Sequence, residues 1–174
     1  MTAAAIFSSM LRYQAWAHDA FLRALEDIDD PGQAEARHAA LRVLNHCLVV
    51  NLIFKGHLTG VPHGFAANNT PDTPTPQTLR TALAALDGWY LEFVATVPDS
   101  QLAESIAFTF TDGDKGCMTR QEMLLHVVTH GTYHRGEVGR ILKQIQVAPP
   151  WDTFAVHLHQ DDPVRRLHRP SAPA

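Results

Sequence analysis

Four long stretches of this chain repeat apolar residues at intervals of three and four, and that periodicity fixes most of what it can fold into. The first runs from about Ala3 to Asp27 through Phe7, Met10, Leu11, Trp16, Phe21, Leu22 and Leu25, and Pro31-Gly32 stops it. The second runs from about Ala34 to Leu58 through Leu41, Leu44, Leu48 and Leu52, ending at Gly60 and Pro62. The third starts after Thr75, an N-cap with Pro76 at the first helical position, and carries Leu79, Leu83, Leu86, Tyr90 and Phe93 towards Val97. The fourth opens on the capping box Thr119-Arg120-Gln121-Glu122 and runs to about Gln146, before Pro149-Pro150. An amphipathic helix must bury its stripe against another element, so four of them predict an all-α four-helix bundle. Between the third and fourth, Ile106 to Thr111 alternates and is followed by Asp112-Gly113, which predicts a small hairpin before the last long helix. The first two helices, joined by a short turn, are expected to be antiparallel. The connection over 59–76, rich in Gly, Pro, Asn and Thr, is long enough to cover a site or to cross between parallel helices.

At 174 residues the chain is expected to be one bundle domain over 1–160 with a flexible C-terminal tail over 161–174. A net charge of -4 gives no broad attraction to nucleic acid, and the only basic cluster, Arg165-Arg166-Leu167-His168-Arg169, sits in that tail. Cys47 and Cys117 are too few for a secreted disulfide framework. No basic leader with a long apolar run is evident, nor a run of about 18 apolar residues of the kind a membrane span needs, so no membrane partner and a cytoplasmic location are expected.

Histidines interrupt two of the apolar seams. The fourth helix sets Met123, Val127, His130, His134, Val138, Ile141 and Ile145 in one row, and the second sets Val43, His46, Val50, Ile53 and His57 in another. Imidazoles four residues apart on a helix point the same way, about 6 Å apart along the axis, and can reach one ion. His126, His130 and His134 continue that step, and periodicity alone leaves the pairs 126/130 and 130/134 equally open. Three imidazoles from facing helices are more easily held neutral by a cation than by one another. Peptide hydrolysis through H-E-x-x-H is not expected, because Gly131 follows His130 where that motif needs its Glu.

The run from His126 to Glu137, Leu44-Asn45-His46 on the second helix, Tyr13 to Ala17 on the first and Pro149 to Phe154 near the end together resemble the DinB/YfiT-like family of metalloenzymes. The resemblance covers nearly the whole chain. It implies an up-down-down-up bundle, often a homodimer, holding a divalent metal through His46, His130 and His134. His126 is then left to the ligands' surroundings or to the substrate pocket. Glu137 stands where the family commonly carries Gln.

Three neutral ligands leave an ion an open position, as in catalytic sites. Zinc or nickel suits imidazole donors, and either can activate water or a low-molecular-weight thiol. The expected activity is therefore a metal-dependent hydrolase or a thiol-dependent transferase with a small-molecule substrate; the rival is a non-enzymatic stress protein with a structural ion. Glu137 could orient a ligand or act as a base, or pair with Arg135 or Arg140. Tyr13 and Trp16 are candidates for the pocket wall, against simple core packing. Cys47 reads as a buried structural thiol. His18, His38, His57, His63, His157, His159 and His168 read as surface or loop residues, and Gly131, Gly136 and Gly139 as points of close helix approach.

Overall fold

The computed structural model describes residues 2–167. Its long helices are α1 (Ala3–Glu26), α2 (Ala34–Thr59), α3 (Pro76–Thr96) and, after the short helix α4 (Asp99–Leu102) and strands β1 (Ser105–Thr109) and β2 (Lys115–Thr119), α5 (Arg120–Gln144). Three of these starts carry a threonine cap, while α2, entered through Gln33, has no side-chain cap. Thr2 accepts from the Ala5 N–H, and Thr75 accepts from the Thr78 N–H ahead of Pro76. At α5 the Thr119 hydroxyl accepts from the Glu122 N–H while the Glu122 carboxylate accepts from the Thr119 N–H. Gly60, at φ 72°, ends α2 in the left-handed region, where a Cβ would be strained.

Helix directions follow from side-chain pairs. Gln14 meets Asp87 while Glu26 meets Arg80, so α1 and α3 are antiparallel. His46 meets His130 while Phe54 meets His126, so α2 and α5 are antiparallel. Gln14 lies beside Gly131 and Phe21 beside Gly139, so α1 and α5 run the same way. The result is up-down-down-up. α1 packs mainly on α3 and α2 mainly on α5, and α1 and α2, though consecutive and antiparallel, are diagonal across the bundle. The 59–76 segment therefore makes the crossover between two parallel helices.

The core includes Leu11, Phe21, Leu44, Leu79, Leu83, Tyr90, Met123 and Leu142, all buried. By length and apolarity α2 would qualify as a membrane span, yet 67% of that window is buried within the bundle. The hairpin pairs Ser105 with Thr119 through to Thr109 with Lys115. Its connection is longer than a two-residue turn: β1 stops at Thr109, Phe110 donates to the Asp114 carbonyl, and Gly113 takes φ 100°. Phe108, buried, anchors the hairpin on the bundle.

A further helix, α6 (Phe154–Asp161), follows the Pro149-Pro150 stop, N-capped by Thr153, and a 3-10 turn follows over Pro163–Arg165. Within the expected tail, His168 and Arg169 lie outside the described residues.

The glycines of α5 divide. A Cβ at Gly131 would crowd Arg135 Nη1 and Gln14 Oε1 at 3.1 and 3.2 Å, and at Gly139 it would make ordinary contacts with Pro149 and Phe21. At Gly136 it would meet nothing within 4 Å, so close approach does not explain that residue. Gly136→Ala is expected to stabilise the protein by about 0.5–1 kcal/mol, the helix-propensity difference, read as a higher urea midpoint with unchanged slope.

Candidate metal centre

His46 on α2 and His130 and His134 on α5 turn inward at mid-bundle, where antiparallel packing brings their seams together. One ring nitrogen of each lies within 4.8 Å of the other two. The ring centroids are 4.9 Å apart for His46 and His130, 4.7 Å for His46 and His134, and 4.5 Å for His130 and His134. His46 Nε2 faces His130 Nε2 at 3.0 Å, close to the roughly 3.3 Å edge of a tetrahedral zinc site.

Two of the rings are held from behind. His46 Nδ1 donates to the Asn68 carbonyl at 2.7 Å, which fixes its tautomer and leaves the Nε2 lone pair directed at His130. His134 Nδ1 faces Glu137 Oε2 at 3.3 Å. A carbonyl or carboxylate behind an imidazole is the usual support of a metal-ligating histidine. Burial, reinforced by His134, His46 and His126, pushes His130 down to about 3, so it stays neutral with its lone pair available. Burial also lowers His46, against the opposing effect of the Asn68 carbonyl. His130 Nδ1 is buried with no protein partner among the described residues. Two of the three imidazoles are thus held towards the neutral, lone-pair-bearing form, and with His134 they make a nitrogen donor set suited to a divalent cation.

The Asn68 carbonyl belongs to the 59–76 crossover, which is pinned beside the site. Arg42 donates to the Thr70 carbonyl at 2.6 Å, Asn69 donates to the Arg42 carbonyl at 3.0 Å, and Asn45 binds the side chains of Asn69 and Thr70. The connection both crosses the bundle and covers the centre.

The DinB family model matches residues 1–165. The chain belongs to the DinB family. No curated protein and no solved structure gives a significant match. What the site of this DinB-family protein can do is therefore argued from its own geometry.

His126 stacks on His130 with centroids 5.2 Å apart and on Phe54 at 4.5 Å, and it stands outside the converging three. His126→Phe, which preserves the stack, is expected to retain full metal stoichiometry by elemental analysis; a proportional loss would make it a ligand.

Tyr13 and Trp16 do not line the hollow beside the histidines. They face α6, where both rings pack on His157 and Tyr13 also meets Phe154 edge-on. The Tyr13 hydroxyl donates to Asp152 Oδ1 at 2.5 Å, and Asp152 Oδ2 accepts from Arg135 Nε at 2.8 Å. Arg135 follows His134 but turns about 100° away, into the α1–α6 side, where it is fully buried. Cys47 is also fully buried, and burial pushes its thiol up to about 12, which keeps it inert.

Three histidines depart from the surface or loop reading. His18 is buried, its Nδ1 2.8 Å from Asp87 Oδ2, with Gln14 donating to the other carboxylate oxygen at 3.1 Å. His157 is buried by α6 against α1. His57 lines the hollow that opens from the metal centre. The second-helix seam holding His46 and His57 signalled that last position; the contacts of the other two have no local signature.

Proposed function

We propose that this DinB-family protein binds a divalent metal ion, zinc or nickel, through His46, His130 and His134, and uses it as a metal-dependent hydrolase or thiol-dependent transferase. The observation that carries the reading is the convergence of three imidazoles from two helices, two of them braced by oxygen acceptors, beside an open hollow. A divalent ion held by three neutral ligands supplies Lewis-acid activation of water or of a small thiol.

The chain's own residues set the conditions for that chemistry. The Asn68 carbonyl holds His46 in one tautomer, and Glu137 orients His134 while being about two-fifths exposed, placed to exchange a proton with solvent. Three histidines leave room for exogenous ligands, and this favours a catalytic over a purely structural ion. A cytoplasmic location and a homodimeric state belong to the same proposal.

The test combines metal analysis with an activity screen. About one equivalent of metal per chain is expected, together with ester hydrolysis or thiol transfer that is lost on chelation and in His134→Ala. Stoichiometric metal without turnover on either substrate class would favour the non-enzymatic stress protein, and sub-stoichiometric metal after saturation would remove the centre itself.

A further inference from the structure

From the metal centre a hollow of about 360 Å³ extends between α2, α5 and the hairpin. That volume falls within the about 300–1,000 Å³ of small-molecule sites. His46 and His130 stand at one end. Val50, Ile53 and Phe54 of α2 form one wall, and Phe108, Phe110 and Met118 of the hairpin form the facing one. Phe108 lies 4.7 Å from His57, 4.8 Å from Phe110 and 6.2 Å from Phe54 by ring centroids, so aromatic faces and edges surround the space. No Asp, Glu, Lys or Arg lines it among the described residues.

We infer that this chamber binds the uncharged, aromatic body of a small substrate, with the substrate's reactive group presented to the three histidines; the inference takes its reactive end from the function proposed above. Away from the histidine end, a charged body would be desolvated against walls that offer no side-chain charge of opposite sign. A flat apolar ring gains area burial together with edge and face contacts from Phe54, Phe108 and Phe110, and sulfur contact from Met118. Besides the histidines, only Asn68 and Thr111 among the described residues offer polar groups in this lining, so a purely polar substrate would leave most of its hydrogen-bonding groups facing phenyl and alkyl walls. The hairpin thus acts as a selectivity wall that the four helices alone would lack.

The matched probes are N-phenyl-1-naphthylamine and its 8-sulfonate, which share a ring skeleton and differ by one anionic group. Fluorescence titration of the full chain is expected to give saturable binding of the neutral probe, at least tenfold tighter than the sulfonate. Addition of the neutral probe is expected to shift the Met118 methyl resonance and leave those of Met10 and Met123 in place, a measurement on wild type that needs no folded variant. Val50→Phe and Met118→Phe, filling the chamber from opposite walls, are each expected to weaken binding at least tenfold. His134→Ala removes a proposed ligand that does not line the chamber, so it should lose metal and keep the probe, which separates failure of the chamber from failure of the metal centre. The inference is overturned by an unmoved Met118 signal, by equal or tighter binding of the sulfonate, or by unchanged affinity in both filled variants.

Discussion

His130→Ala is expected to weaken metal binding by about a hundredfold or more and to abolish the metal-dependent rise in melting temperature. His130 is one corner of a nearly equilateral triangle of rings, 4.9 Å from His46 and 4.5 Å from His134 by centroids, with His46 and His134 4.7 Å apart, and it is the most strongly desolvated of the three. Zinc sites of four ligands are worth about 10–16 kcal/mol, so a single donor carries roughly 3 kcal/mol, or about two decades of affinity. The metal-free protein should nevertheless stay folded. Among the described residues the ring's only protein hydrogen bond runs to His46 Nε2, and its Nδ1 has no partner to strand. Wild type with metal at a hundred times Kd gains about 2.7 kcal/mol of stability, and the variant at the same concentration should gain almost none. The decisive measurement is competition with a chelator of known affinity, with thermal melts beside it. His46→Ala and His134→Ala are expected to fall in the same range, and any one variant that keeps wild-type affinity removes its residue from the ligand set.

Much of this centre is legible in the chain because helical period converts spacing into direction. His46 and His130 occupy seam positions where the pattern asks for hydrophobes, and the bundle has to bring two such seams face to face. The helix starts were equally legible: Thr75-Pro76 and the Thr119 to Glu122 box place short-range hydrogen bonds that need no tertiary partner. Spacing left the pairs 126/130 and 130/134 open, and the resemblance chose the second. The structure adds a physical reason, since α2 presents His46 to His130 and His134 but Phe54 to His126.

What the sequence did not show is contact across long separations. Nothing near His18 announces Asp87, 69 residues away, because a seam tells which face is buried and not what meets it. The diagonal placement of α1 and α2 is of the same kind: a short connection fixes their antiparallel sense, while packing against α3 and α5 decides adjacency. The motif on the first helix leaves Tyr13 and Trp16 open between a pocket wall and simple packing, and α6, which has no clear sequence signal, decides for packing. α6 is two turns long, too short for periodicity to stand out after Pro149-Pro150, yet it covers the face of α1 from which both aromatics project.

That same C-terminal segment carries the largest expected effect on stability. Asp152→Ala is expected to destabilise the protein by about 3–5 kcal/mol, because it strands a guanidinium that is fully buried. At about 2–4 °C per kcal/mol for a domain of this size, the melting temperature should fall by roughly 6–20 °C. Among the described residues Arg135 keeps one hydrogen bond, from Nη2 to Thr132 at 3.3 Å, and its place over the Tyr13 ring, its Nη1 is already without a partner, and Tyr13 loses the acceptor for its hydroxyl. Arg135→Met in the Asp152→Ala background removes the uncompensated charge while keeping an unbranched side chain, and should recover most of the loss. Burial without pairing is then the dominant cost, rather than loss of the Tyr13 hydrogen bond alone. If the double variant melts no higher than Asp152→Ala, the segment is held by Tyr13, Phe154 and His157 packing and the ion pair contributes little. Metal stoichiometry should be unchanged in both, since Arg135, though next to His134 in sequence, turns about 100° away from it and into the α1–α6 side.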